Sequence, residues 1–286
     1  VERAVNTVGE ALAVAHRQID KFDAQYLLST LLGVSRASLI AHAERRLTDD
    51  DAALFAAHLA ARTEGVPVAQ IIGKREFYGR DFAINAHALI PRPETELLIT
   101  LALAGISRLI LPETTVDIRV CDLGAGSGAI AITLACESPA CRVTAVDISP
   151  LALALASSNA VKLGAHVNFI QSDWYEALGG QTYHLIVANP PYIANDSAYL
   201  SAGDLRFEPR IALTDESEDG LLSIRTIVQQ APRYLVNGGM LMIEHGYDQA
   251  ERARDIFLSA GFTDVKSERD LAGIERVTLG TLHQAV

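Results

Sequence analysis

The chain has 286 residues, 49% of them hydrophobic and 21% charged, which excludes a disordered chain and suits about two domains. Its net charge of −11, from 24 Lys+Arg against 35 Asp+Glu, makes a long polyanion a poor default partner. The imbalance is uneven: residues 1–75 carry nine charges of each sign, and residues 76–286 carry 15 basic against 26 acidic.

Glu2 and Arg3 precede a polar, amphipathic stretch, so no apolar signal core is expected. Val8, Leu12, Ala15 and Ile19 recur at helical spacing, as do Ala24, Leu27, Leu28 and Leu31, with Gly33 as a stop. Thr48, followed by Asp49, Asp50 and Asp51, predicts an N-cap and an acidic first turn. Leu54, Phe55 and Leu59 then form the apolar face of that helix, and Gly65 and Pro67 end it. Residues 1–75 read as a small helical bundle without a catalytic cluster. Residues 76–84 predict two short strands about a turn near Gly79 and Arg80, in a hairpin connector over 76–90. Pro91 and Pro93 impose an extended approach, and Pro93 suits the first position of a helix with Glu94 and Glu96 near its N-terminus. The apolar run 97–106 is too short to span a bilayer.

From residue 116 short β-branched runs alternate with helical ones. Strands are predicted at 117–123, 142–147, 166–170, 184–188 and 239–244, with two more near 262–267 and 274–280. Helices fit between them, among others at 128–137 and 150–162. This alternation predicts an α/β fold for residues 91–286, a doubly wound, largely parallel seven-stranded sheet. The weakly periodic stretch 193–220 is long for a connection inside a compact domain, as functional segments are.

Two motifs carry chemistry. Asp122-Leu123-Gly124-Ala125-Gly126-Ser127-Gly128 sits where a strand gives way to a helix, and its glycines let the backbone turn sharply and approach a ligand. The helix N-terminus adds unpaired N–H groups, and Asp147, at the end of the next strand, suits a pair of ribose hydroxyls. The second motif is Asn189-Pro190-Pro191-Tyr192, at the end of an apolar strand. Asn189 offers an acceptor oxygen, the Pro190 carbonyl offers another, and the prolines stiffen the loop so that both face one way. A planar NH₂ group can donate one hydrogen to each, with Tyr192 against its flat face. A rigid strand-end turn and a ligand-free tight turn are the plainer readings of the two motifs.

In this order and spacing the chain resembles a known family. Asp122 to Gly128 is similar to the first motif of class I S-adenosylmethionine-dependent methyltransferases, and Asn189 to Tyr192 to the motif of those that methylate a conjugated nitrogen. With Phe77-Tyr78-Gly79, Leu89 to Glu96, Ser172-Asp173-Trp174, Glu208 to Leu213, Glu244-His245-Gly246 and Asp270 to Gly273, the whole resembles the PrmC (HemK) family. That family methylates the glutamine of the Gly-Gly-Gln motif in class 1 peptide chain release factors.

The resemblance implies S-adenosylmethionine as cofactor. Gly124, Ala125, Gly126, Ser127 and Gly128 would hold its methionine and ribose part, Asp147 the ribose hydroxyls, and Trp174 the adenine, with Asp173 at the adenine amine. Asn189, Pro190, Pro191 and Tyr192 would hold the substrate glutamine, with Asn189, Pro190 and Tyr192 catalytic and Asn189 also against the cofactor. Arg92, Glu94 and Thr95 either close the site or simply begin a helix, and Trp174 equally suits a core. His245 is expected to be structural, no metal-ligand spacing is present, and residues 1–75 would dock the protein substrate. Cys121, Cys136 and Cys141 form no CxxC pair, which fits a reduced, cytoplasmic setting. A monomer with no membrane role and no direct nucleic-acid binding is expected. Two other readings remain: methylation of an exocyclic amine of a nucleobase, and a non-catalytic binding module that keeps the fold.

Overall fold

The computed structural model describes residues 6–109 and 117–283. Glu2 and Arg3 lie outside the described residues. The chain divides into two compact units, Val1–Lys74 and Arg75–Val286.

The first unit is all helical: α1 (Val8–Ala15), α2 (Lys21–Leu32), α3 (Arg36–Ala41), α4 (Asp49–Thr63) and α5 (Val68–Ile72). Its helices start where a side chain satisfies an orphan backbone donor. Asp20 accepts from Phe22 N at 2.7 Å, and Thr48 accepts from Asp51 N at 3.0 Å. Gly33 closes α2 in the left-handed conformation, φ 62°. Leu27, Leu28, Leu39, Phe55 and Leu59 form the core. Leu54 does not join it and is 47% exposed. Phe55 and Leu59 are one helical turn apart, and Leu54 is rotated about 100° away from that stripe.

A hairpin follows, β1 (Lys74–Phe77) and β2 (Arg80–Ala83). Its turn residues are Tyr78 and Gly79, φ 50° and 74°, the mirror-image turn that matches strand twist. Glu96 accepts from Tyr78 N at 3.0 Å and so anchors a non-glycine residue in that conformation. Pro93–Thr95 form a short 3₁₀ turn that runs into α6 (Glu96–Leu109).

The rest of the second unit is a seven-stranded sheet with helices. Strands β3 (Arg119–Leu123), β4 (Arg142–Asp147), β5 (Val167–Gln171), β6 (Tyr183–Ala188), β7 (Leu235–Glu244), β8 (Phe262–Arg269) and β9 (Glu275–Leu282) lie in the order β5-β4-β3-β6-β7-β9-β8. The first five are mutually parallel, and β9 runs antiparallel to both its neighbours. This is the expected α/β sheet. Helices α7 (Ala129–Glu137) and α8 (Pro150–Leu163) link β3 to β4 and β4 to β5, and α9 (Leu222–Gln230) and α10 (Ala250–Ser259) flank β7 in sequence. Leu123, Ile186, Ile224, Ile227, Leu241 and Phe257 belong to one buried cluster, which makes the central strands near-continuous apolar runs. The stretch 193–220 contains three 3₁₀ turns, Ala198–Ser201, Gly203–Phe207 and Arg210–Ala212.

Two side-chain features hold the glycine-rich loop after β3 in place. Asn159 on α8 is fully buried, donates to the carbonyls of Ser127 (2.9 Å) and Ala83 (3.1 Å), and accepts from Ala83 N (2.8 Å). Gly128 caps α7 at φ 83°, where a Cβ would lie 2.7 Å from Ile132 Cδ1 and 3.1 Å from Ala156 Cβ. Gly128→Ala therefore combines overpacking with a left-handed backbone. It should lower unfolding free energy by about 2 kcal/mol or more, measured by denaturant titration.

Candidate active site

From β3 the chain builds outward through β4 and β5, then returns to β6 on the other side of β3. Neighbouring parallel strands whose connections leave in opposite directions open a crevice beyond their C-terminal ends. Leu123 lies beside both Ala188 and Val146, so the loops that begin at Gly124 and Asn189, and the carboxylate of Asp147, emerge together. A cavity of about 430 Å³ occupies this crevice.

Gly124, Ala125, Gly126, Ser127, Asp147, Asp173, Trp174, Asn189 and Pro191 line it, with Arg92 and Thr95 from the segment before α6. Gly128, Pro190 and Tyr192 are not on its wall: Gly128 packs α7 on α8, Pro190 is buried, and the Tyr192 hydroxyl lies 3.5 Å from Glu244 Oε1. Ile211 and Asp215 form part of the opposite wall. Glu208 ties that region down, pairing with the Arg92 guanidinium while its other oxygen accepts from Ile90 N at 2.9 Å.

The glycine-rich loop spends four of its backbone donors within the protein. Gly124 N and Ala125 N donate to the Val146 carbonyl, Gly128 N to the Ala125 carbonyl, and Gly126 N to Asp147 Oδ2. These four N–H groups are used in building the turn itself. Gly126 has φ 54° and open space where a Cβ would stand. A Cβ on Gly124 would lie 3.7 Å from the Trp174 ring.

Asp147 and Trp174 face each other's motifs. Each Asp147 oxygen accepts one backbone hydrogen bond at 2.8 Å, from Gly126 N and Ser149 N. A carboxylate has about four acceptor sites, so one per oxygen is left for the cavity. Burial pushes the Asp147 carboxyl up, against these backbone donors. Trp174 has φ 44°, a strained conformation for a bulky residue, of the kind that concentrates at functional sites. The Ser172 hydroxyl holds it there, donating to the Trp174 carbonyl at 2.9 Å and accepting from Ala177 N at 3.0 Å.

Asn189 is fixed in orientation. Its Nδ2 donates to Thr95 Oγ1 at 3.2 Å, while Oδ1 is buried and has no partner. The rest of its loop is pinned from afar: Gln249 Nε2 donates to the carbonyls of Tyr192 (3.0 Å), Asp219 and Gly220 (3.2 Å each), and Gln249 Oε1 accepts from Gly246 N (2.8 Å). Gly220 passes so close that a Cβ would lie 2.2 Å from the Tyr192 carbonyl oxygen. Gln249 and Gly220 carry no local sequence signal, because their partners are distant in the chain.

Comparison with known proteins decides the family. A Burkholderia pseudomallei protein named release factor glutamine methyltransferase is 48% identical over 271 residues, 92% of this chain and 93% of that protein. Proteins of the same name from Bordetella pertussis (48%, covering 92% and 96%) and Escherichia coli (43%, covering 92% of each) match equally broadly. The chain belongs to the release factor glutamine methyltransferase family. Its residues 3–73 match the PrmC N-terminal domain and residues 106–205 the Methyltransferase small domain. The fold is shared more widely. A Pyrococcus furiosus methyltransferase superposes with a TM-score of 0.54 at 14% identity, covering 80% of this chain and all of that one. The Thermus thermophilus 16S rRNA N2 G1207 methyltransferase, solved with AdoMet and guanosine, does so at 0.51 and 17%, covering 73% and 50%.

In this family member three further titratable side chains lie near the crevice. His245 is buried with both ring nitrogens engaged, Nδ1 donating to the Gly246 carbonyl and Nε2 paired with Thr278 Oγ1, each at 2.9 Å. Burial lowers its pKa, which keeps it neutral and structural. Among the described residues no group of three or more His, Cys, Asp or Glu is placed to hold a metal, and no helix is long and apolar enough to cross a membrane.

Asp122 is fully buried; Oδ2 accepts from Ala131 N at 3.1 Å and Oδ1 has no partner, and burial pushes its carboxyl up to about 7. Glu244 is buried and likewise raised to about 7. Between the ordinary carboxylate range near 4 and about 7, the folded chain holds these protons and the unfolded chain does not. Stability should therefore be highest below that window, fall as pH rises through it, and level off above. Asp122→Asn should flatten part of this slope, read as the thermal midpoint between pH 5 and pH 8.

Proposed function

We propose that this chain transfers a methyl group from S-adenosylmethionine to the side-chain amide nitrogen of the glutamine in the Gly-Gly-Gln motif of class 1 peptide chain release factors. The carrying observation is the buried, unpartnered Oδ1 of Asn189 at the cavity wall. An orphaned acceptor costs roughly 1–3 kcal/mol unless a donor meets it, and a primary amide supplies one.

The cavity fits the methyl donor. Asp147 keeps one acceptor per oxygen for a ribose diol. Gly126 leaves open floor, and Trp174 with the half-exposed Ile148 gives apolar walls for a flat base. When bound, S-adenosylmethionine supplies an electrophilic methyl group on a sulfonium.

The acceptor nitrogen is a poor nucleophile, because its lone pair is delocalised into the carbonyl. Asn189 Oδ1, at the cavity wall, accepts one of its hydrogens, enriches that nitrogen and aims it. Positive charge grows on the nitrogen as the new bond forms, so this acceptor binds the transition state more tightly than the ground state. Alignment supplies much of the rest, up to about 7–11 kcal/mol in favourable cases. The prolines have no N–H to compete for this acceptor, and Gln249 and Gly220 keep the loop from relaxing. The proton leaves after transfer, so no strong base is required.

The acidic balance of residues 76–286 supports a protein acceptor over a nucleic acid. The helical unit, with its own core and with Phe22 and Ile40 68% and 67% exposed, supports a role in docking that protein.

Labelled S-adenosylmethionine, incubated with the enzyme and a release factor, should label the native factor and neither its Gln-to-Ala version nor bulk nucleic acid. Label on nucleic acid would replace the substrate while leaving the Asn189 chemistry in place. Asn189→Ala should lower turnover by orders of magnitude with cofactor affinity unchanged. Deleting residues 1–75 should weaken release-factor binding much more than cofactor binding; equal loss of both would make that unit purely structural.

A further inference from the structure

Gln249 lies on the turn that leads from β7 into α10 and is 3% exposed. Its side chain makes no capping bond to that helix. Instead the carboxamide meets three separate segments. Nε2 donates to the Tyr192 carbonyl at 3.0 Å, in the loop that carries Asn189, and to the carbonyls of Asp219 and Gly220 at 3.2 Å, just before α9. Oε1 accepts from Gly246 N at 2.8 Å, just past the end of β7. Two hydrogens serve three carbonyls, so at least one is shared. The carboxamide can sit only this way round. Reversed, its oxygen would face three carbonyl oxygens and its NH₂ would face the Gly246 N–H.

We infer that Gln249 positions Asn189 for methyl transfer: by tying the Tyr192 carbonyl to the segment before α9, it fixes where the Asn189 carboxamide oxygen stands. This rests on the acceptor role proposed for Asn189. The link between the two is mechanical. Only Pro190 and Pro191 separate Asn189 from Tyr192, and each proline ring locks its own φ near about −65°. That leaves little torsional freedom to absorb a shift at Tyr192, so the shift is passed on to Asn189. Gln249 itself is not on the cavity wall. It is a positioning residue and reaches neither substrate nor cofactor.

The segment on the other side of the tie is built as an anchor. Its Gly220 passes so close to the Tyr192 carbonyl that only a glycine fits there. Ile193 N and Asn195 N donate across to the carbonyls of Leu213 and Ser217, each at 2.9 Å. Within the segment, Asp215 accepts from Ser217 N at 3.0 Å and Ser223 N at 2.9 Å, and Asp219 pairs with Arg225. Thr214, Asp215, Leu222 and Ser223 also line the crevice, so the tie sets the spacing between Asn189 and this wall. Take the Nε2 hydrogens away and three carbonyl oxygens converge with no hydrogen among them, which drives the loop from its anchor.

The test compares the full-length enzyme with Gln249→Met, which keeps the length without the hydrogens, and Gln249→Glu, whose ionised carboxylate only accepts. Three quantities are read: turnover at saturating release factor, affinity for S-adenosylmethionine, and equilibrium binding of the native factor against its Gln-to-Ala version. Gln249→Met should lower turnover about tenfold or more, as misplacing a reacting group does, with affinity for S-adenosylmethionine unchanged. It should also shrink the preference for the native factor. Gln249→Glu should lose at least as much, because it sets a charge against three carbonyls. The double variant Gln249→Met/Asn189→Ala should be no slower than Asn189→Ala alone, since both changes remove one hydrogen bond to the substrate. Wild-type turnover in either single variant would overturn the inference, as would additive loss in the double variant or a parallel loss of cofactor affinity. If the variants do not fold, hydrogen exchange in the wild-type enzyme decides. The amides of Ile193, Asn195 and Gly246 should then share one protection, as parts of a single tied unit, and unequal protection overturns the tie. A wild-type enzyme that leaves the release-factor glutamine unmethylated overturns the substrate reading instead, and the variants are then compared on whichever acceptor it does methylate.

Discussion

A carbonyl oxygen held out of water with nothing to accept is costly, and most of this molecule's second unit serves to keep one there. Asn189 Oδ1 is buried without a partner, while the nitrogen of the same side chain is engaged by Thr95. The strand order places it, because β6 returns beside β3 and so brings its C-terminal end next to the glycine-rich loop. Prolines deny it competing N–H groups, and Gln249 with Gly220 clamps the loop that carries it. Such preorganisation is what the proposed acceptor role of Asn189 requires, since no reorganisation is left for the moment of reaction.

The same economy governs the glycine-rich side of the crevice. The glycine-rich loop uses its backbone donors on itself and on Asp147, which fixes that carboxylate while leaving part of it open. Asn159 stitches the loop to the hairpin, and Gly128 lets α7 lie close on α8. Trp174 carries strain here, its backbone held in the left-handed region beside Gly124 by Ser172. Acidity is managed by burial: Asp122 and Glu244 are both raised to about 7.

Local patterns made much of the fold legible. Thr48 and Gly33 mark helix ends by capping chemistry that acts within four residues, and the β-branched runs from 117 onward locate all seven strands of the sheet. Both loops at the crevice were legible for the same reason, as strand-end motifs. Leu54 was misread because adjacency in sequence to Phe55 is not adjacency on a helix. That the loop's own N–H groups are taken up by Val146 and Asp147 was not legible, because those partners sit on another strand. Gln249, and the contact of Thr95 with Asn189, were not legible at all. Each depends on partners tens of residues away, whose meeting follows only from strand order and register.

The most direct test of this account is a crystal structure of the enzyme with a release-factor glutamine in the crevice. The glutamine nitrogen should lie about 3 Å from Asn189 Oδ1, with Asn189 Nδ2 still on Thr95. A glutamine whose carbonyl oxygen, rather than its nitrogen, faces Asn189 would contradict it.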